Sequence, residues 1–193
     1  MQLNQGWITE ARQVISPHCD NRPDDEIPSL LVIHNISLPP GKFGGPYIDQ
    51  LFTGTLDPRE DPFFEQIHQL RVAAHCLIRR DGEIVQYVPF DKRAWHAGVS
   101  NWQGRERCND FSIGIELEGT DFAPFTDAQY QSLLKVTDLI LRHYPVDTRH
   151  ITGHSDIAPG RKTDPGPHFD WQRYLDALKQ HATNASPKES PRP

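Results

Sequence analysis

Residues Ser29 to Ile36 read SLLVIHNI. A run this continuously apolar suits a strand buried on both faces, and such a strand needs a layer of structure on each side of its sheet. The run stops at SLPPGKFGGP, a long loop rich in Pro and Gly. His34 therefore lies near the C-terminal end of a central strand, where open mixed and parallel sheets often hold their sites. A core histidine satisfied by its neighbours is the plain alternative, and the adjoining loop favours a cleft floor.

Other stretches supply the rest of a sheet and its cover. ARQVIS reads as a short strand and PFFEQIHQL, Pro62 to Leu70, as a short helix with Pro in its first turn. Val72 to Arg79 and Glu83 to Val88 flank Asp81-Gly82, the signature of a hairpin. On its first arm His75 alternates with Ala73 and Leu77 and so packs on one sheet face, unless it stands beside a metal. SIGIELEG, Ser112 to Gly119, alternates with Ile113, Ile115 and Leu117 toward the core. Glu116 is thereby held on a rigid strand, as a site carboxylate or a solvent-facing one, and Glu118, nearer the end, is expected to be solvated.

Thr126 to Tyr144 is the clearest helix: Thr126 and Gln129 form a capping box, apolar residues recur at helical spacing, and Pro145 ends it. A second helix begins after Asp170 with Trp171, Tyr174, Leu175 and Leu178 inward. Between hairpin and SIGIELEG lies DKRAWHAGVSNWQGRERCND, expected as a loop of about 20 residues, long enough to suggest function. Its Trp95, His96, Trp102, Arg105 and Arg107 suit a ligand with sugar faces and carboxylates, or pin a surface loop.

The stretch HITGHSDIAPGRKTDPGPHF, His150 to Phe169, is too broken for a helix and too polar for core. A bound metal ion would order it. Catalytic zinc takes three protein ligands from His, Asp, Glu or Cys and leaves one position open; His154 and Asp164 are candidates for two. In an extended KTD, Lys162 and Asp164 project to the same side, which sets a cation at the metal's edge. Taken singly, His154 is equally a loop histidine, Asp164 a turn residue before Pro165, and Lys162 a solvated lysine. His150 and His154 share the i, i+4 spacing of helical zinc motifs, but Ile151, Thr152 and Gly153 make a poor helix and the Glu after the first His is missing.

The chain's 193 residues suit one domain. A net charge of -6 gives no electrostatic reason to bind nucleic acid or an anionic membrane. Cys19, Cys76 and Cys108, an odd set without CxxC spacing, read as free thiols of a reducing compartment. The first 22 residues hold no apolar run of signal-peptide length and no stretch reaches the roughly 20 apolar residues of a span, so a cytoplasmic location is expected. The folded domain is expected over residues 1–181, and the polar, Pro-rich residues 182–193 as a disordered tail.

VIHNIS, AAHCLIRRDGEIVQYV, AWHAG, SIGIELEG and GHSDIAPGRKTDPG occur in this order. With them the chain resembles the zinc-dependent N-acetylmuramoyl-L-alanine amidases, over roughly residues 5 to 180, and within them the cytoplasmic branch that recycles 1,6-anhydro-muropeptides. The resemblance implies an α/β fold, a single domain with a central mixed β-sheet flanked by helices and a zinc cleft on one face. It implies His34, His154 and Asp164 as ligands of one zinc ion, Glu116 as catalytic acid/base and Lys162 as transition-state stabiliser. Many relatives carry Cys as third ligand; Asp164 at that position fits the recycling branch.

The implied reaction is hydrolysis of the amide between the lactyl group of (1,6-anhydro-)N-acetylmuramic acid and L-alanine. An acidic peptide on a sugar calls for cationic and polar contacts, for which Asn35, Arg71, Arg107 and Arg161 are the candidates, with His75, Trp95 and His96 beside the metal or along the cleft. The expected partner is a small muropeptide, with no nucleic acid or membrane, and nothing demands more than a monomer. A module that recognises muropeptides without cutting them is the alternative; it needs neither Glu116 nor Lys162. A structural zinc protein would show four ligands, and an amidase of the polymeric wall would need export.

Overall fold

The computed structural model describes residues 1–185, side chains to His181. In chain order the elements are β1 (Leu3–Asn4), β2 (Trp7–Ile8), β3 (Arg12–Gln13), β4 (Cys19–Asn21), β5 (Leu30–Ile36), α1 (Tyr47–Thr53) and α2 (Phe64–Ile67). There follow β6 (Cys76–Ile78), β7 (Ile84–Gln86), β8 (Lys92–Ala94), β9 (Asn101–Trp102), β10 (Arg105–Glu106), β11 (Ser112–Glu118) and α3 (Asp127–His143). The chain closes with β12 (Ile151–Gly153), α4 (His154–Ile157) and α5 (Trp171–Ala185).

Six strands form the central sheet in the order β12-β5-β11-β6-β7-β3. It is mixed: β5 runs parallel to β11 and β12, and β6 runs parallel to β11 but antiparallel to β7. Both apolar runs read from the sequence are its central pair. Residues 30–34 of β5 are all buried, and so is every residue of β11.

Alternation sorts these residues between two layers. Leu31, Ile33, Ile113, Ile115 and Leu117 pack with Leu133, Val136 and Ile140 of α3 and Tyr174 and Leu178 of α5. Leu30 and Val32 face the other way, toward Ala97, Cys108, Phe111 and Ile157, while α1 and α2 cover the hairpin side through Ile48, Leu51, Phe52 and Phe64. His34 continues the Leu30, Val32 series and Glu116 the Ser112, Gly114 series. Both consequently face away from α3 and α5.

Helix α3 carries the expected capping box: the Thr126 hydroxyl accepts from the Gln129 backbone, and the Gln129 side chain accepts from the Thr126 backbone. Asp170 accepts from the Arg173 backbone at the start of α5. That helix runs on to Ala185, so the tail expected from 182 begins inside it, and residues 186–193 lie outside those described.

Three local expectations are corrected. ARQVIS is a strand only at Arg12–Gln13. The segment from 91 to 110 is not one loop: β8 pairs with β4, β9 with β10, and a 3-10 turn spans Cys108–Asp110. Glu118 is buried, at 2% exposure, because its carboxylate accepts from the Gly44 and Arg80 backbones and from Arg79. The three cysteines are free.

Candidate metal centre and active site

The C-terminal ends of β5, β11 and β12 bring the site together. Gly153 is the register partner of Ile33, so the next residues of the two strands, His154 and His34, come side by side. Gly153 leaves room for this return: a Cβ there would lie 2.8 Å from Pro165 Cδ. The Asp164 carbonyl accepts from the Ser155 backbone, which closes the 154–164 loop and returns Asp164 to His154.

Three donor atoms converge as a result. His34 Nδ1 lies 2.9 Å from Asp164 Oδ2 and 3.0 Å from His154 Nδ1, and the third side, His154 Nδ1 to Asp164 Oδ2, is 3.0 Å. Among the described residues this is the group of His, Cys, Asp and Glu side chains that would hold a metal ion.

The chemistry of the donors supports a cation between them. His154 Nε2 lies 3.0 Å from the Ala97 carbonyl, which only accepts, so in the neutral ring the proton is on Nε2 and Nδ1 is bare. That lone pair faces a carboxylate oxygen and a second imidazole nitrogen. Burial, with the charges of His154 and Lys162, pushes His34 down to about 4, although Asp164 opposes the shift, so this ring is neutral near pH 7. Burial pushes the Asp164 carboxyl up, but the two imidazoles against it outweigh burial and hold it well below the usual carboxylate range. Lone pairs from two nitrogens and one carboxylate suit zinc, whose usual catalytic set is three N and O ligands.

Glu116 stands beside this triad at 8% exposure, and its Oε2 is buried without a hydrogen-bond partner. Burial and the nearby Asp164 charge push its carboxyl well above the usual range, while Lys162 pulls it down. A raised carboxyl of this kind is the sort of group that can accept a proton and return it.

His34, Asn35, Trp95, His96, Glu116, His154, Lys162 and Asp164 line one cleft of about 240 Å³, closed on its other side by Leu51, Phe52, Leu70 and Val72. All five residues expected for metal and catalysis meet there. Asn35 donates to Asp121 and to the Pro165 carbonyl. Trp95 donates to Asp20 and stacks on His18. His96 lies 2.9 Å from His34 Nε2, with its ring over Gly114, where a Cβ would sit 2.5 Å away.

The other candidates stand apart. His75 is one ring further back, bound to the Gly114 N–H and the Lys92 carbonyl. Arg71 is exposed and outside the cleft lining, and Arg107 pairs with Asp110 on a neighbouring cleft. Arg161 donates to the Ala97 and Val99 carbonyls, and its side chain also edges a second hollow shared with Lys162 and Asp164. Sequence reasoning missed Ser112 and the Ala97 carbonyl, which meet ring nitrogens of His96 and His154, and Asn109, which accepts from the His96 and Ala97 backbones; no spacing rule connects them to their partners.

A family model described as N-acetylmuramoyl-L-alanine amidase matches residues 23–167, which span every residue of the triad together with Glu116 and Lys162. The chain belongs to the N-acetylmuramoyl-L-alanine amidase family. It is 71% identical over 183 residues to the 1,6-anhydro-N-acetylmuramyl-L-alanine amidase AmpD of Salmonella typhimurium SL1344, covering 94% of this chain and 98% of that one. Identity to AmpD of Escherichia coli K12 is 68%, over 95% and 100% of the two chains.

Amidases of known structure share the fold. A selenomethionine AmpD crystal structure superposes with a TM-score of 0.90 at 70% identity, covering 92% of this chain and 99% of that one. The Escherichia coli amidase AmiD, solved with the substrate anhydro-N-acetylmuramic acid-L-Ala-D-gamma-Glu-L-Lys, gives 0.58 at 34% identity, over 79% and 57%. This chain is an amidase with the fold of AmpD.

Proposed function

We propose that this amidase cleaves the bond between the lactyl carboxyl of 1,6-anhydro-N-acetylmuramic acid and L-alanine, using one zinc ion held by His34, His154 and Asp164. The observation that carries the reading is the meeting of three metal donors with a buried, unpartnered carboxylate and a lysine in one cleft. Identity near 70% to amidases named for that substrate supports the choice of sugar. When bound, the ion supplies Lewis-acid activation of water and of the amide carbonyl.

The remaining steps belong to side chains. Glu116 takes the proton of the attacking water and later delivers a proton to the departing amine of L-alanine. Lys162, across the same cleft, meets the negative charge that develops on the carbonyl oxygen. Asn35 and Trp95 border the space left for substrate. The reading extends to a monomeric enzyme of cytoplasmic peptidoglycan recycling, with free thiols at Cys19, Cys76 and Cys108 in keeping with a reducing compartment. No helix among the described residues is long and apolar enough to cross a membrane.

The test is incubation of the purified protein with 1,6-anhydro-N-acetylmuramyl-tripeptide, followed by mass spectrometry, with and without a chelator and with zinc added back. Free tripeptide and anhydro-sugar, lost on chelation and restored by zinc, are expected. Intact substrate in the presence of bound zinc would overturn the proposed substrate.

A further inference from the structure

Both ligand histidines are held from behind by one dipeptide. His96 Nδ1 lies 2.9 Å from His34 Nε2, and the next residue offers its carbonyl to His154 Nε2 at 3.0 Å. Neighbouring residues of a chain thus support rings that come from strand β5 and from the first residue of α4, directly after β12. Whatever fixes this dipeptide fixes the direction of both imidazoles.

Asn109 fixes it. Its Oδ1 accepts from the His96 N–H at 3.1 Å and from the Ala97 N–H at 2.8 Å. The turn bearing Asn109 is anchored in its own right: the Arg22 guanidinium donates to the Asn109, Asp110, Phe90 and Ser112 carbonyls. On the far side Arg161 bridges the Ala97 and Val99 carbonyls. His96 is completed by Ser112 Oγ, 3.1 Å from its Nε2, a hydroxyl able to accept. With Nδ1 of His34 turned to the metal, the consistent proton order is His34 Nε2–H to His96 Nδ1, then His96 Nε2–H to Ser112.

We propose that Asn109 is a positioning residue for the metal centre: by binding two successive backbone N–H groups it holds the His96-Ala97 dipeptide that orients both His34 and His154. The inference rests on the zinc reading above and deepens it. Asn109 touches neither metal nor substrate. Its action requires a hydrogen-bond acceptor at the place of its Oδ1, which a carboxylate oxygen also provides.

The experiment compares wild type, Asn109→Ala and Asn109→Asp by competition for zinc against a chromophoric chelator, and by proton-nitrogen NMR of the ring Nε2–H groups in the zinc-loaded proteins. Wild type is expected to bind zinc and to show slowly exchanging Nε2–H protons on both His34 and His154. Asn109→Ala is expected to weaken zinc roughly 10- to 100-fold, the usual range for outer supports of a metal ligand, and to speed exchange at both rings. Asn109→Asp should restore affinity to within a few-fold. Unchanged zinc affinity in a folded Asn109→Ala protein would overturn the inference, as would a wild-type spectrum lacking the two Nε2–H protons; should Asn109→Ala not fold, that spectrum and the Asp variant decide. Failure of the wild type itself to bind zinc would instead sink the metal reading.

Discussion

Glu116 and His34 are register partners on the parallel strands β11 and β5, so the backbones that carry the proposed acid/base and a proposed metal donor lie one strand spacing apart, about 4.8 Å, with both side chains on the same face of the sheet. Both strands are buried through this region. A slip of one residue in either would turn its whole apolar series to the wrong layer, so the register that secures the core also secures the site.

Glu116→Gln keeps the size of the side chain and removes its proton chemistry. Zinc content is expected to stay at the wild-type level while kcat falls roughly 100- to 10,000-fold, the contribution of a positioned acid/base. Metal analysis alongside steady-state kinetics reads both quantities. Near-normal turnover would remove Glu116 from the reaction.

Asp164→Ala deletes the one negative donor of the triad and leaves two neutral imidazoles. The expected loss of zinc affinity exceeds the roughly 10- to 100-fold typical of an outer support, and activity falls with it. Equilibrium dialysis against zinc decides the point, since a variant that still retains a full equivalent cannot have lost a ligand.

Lys162 is exposed at the cleft edge, so Lys162→Met should fold and bind zinc normally. Its kcat is expected to fall roughly 100- to 1,000-fold, as when a single electrostatic stabiliser of a developing oxyanion is removed. A rise in KM with kcat unchanged would instead assign Lys162 to substrate binding.

Glu118, two residues on from Glu116, does structural work. It ties Arg79, Arg80 and the Gly44 loop to the end of β11, and its Oε1 lies 2.6 Å from the Gly44 nitrogen. Glu118→Ala is expected to lower stability by about 2–4 kcal/mol, because charge-assisted bonds are lost and the Arg79 guanidinium loses a buried partner. A melting temperature unchanged within a degree would contradict this.

How far the sequence alone reached follows from the kind of signal each residue carried. SLLVIHNI and SIGIELEG are long enough for burial and alternation to be read, and they position His34 and Glu116 without help. Lys162 and Asp164 sit in a loop and His154 opens the single turn of α4, stretches too short for periodicity to show, so composition leaves ordinary readings open and the ordered motifs of the family carry their assignment. Glu118 was misread because the groups that bury it come from residues 44, 79 and 80, and no local pattern announces them. Strands β8, β9 and β10 are two or three residues long, too short for alternation to show. The support of His34 by His96 depends on Gly114 being open above the strand, a fact of packing between segments far apart in sequence.

Behind the active site, His75 sets a pH dependence of stability. Burial, then the Arg22 charge, pushes it down to about 3 from an ordinary 6.5, against the opposing pull of its hydrogen bond with the Lys92 carbonyl. Between those two values the unfolded chain binds a proton that the folded one does not, so stability rises with pH across that window. The contribution is fully present above 6.5 and is lost as pH falls toward 3, at about 1.4 kcal/mol per pH unit for one group. Urea unfolding between pH 4 and 8, with chelator present so that metal binding does not contribute, should therefore show a steep acid limb. In His75→Gln, which removes the titrating ring, that limb is expected to be shallower by about the same slope. Parallel limbs in the two proteins would mean that His75 is protonated in the folded state or that other buried groups govern the acid transition.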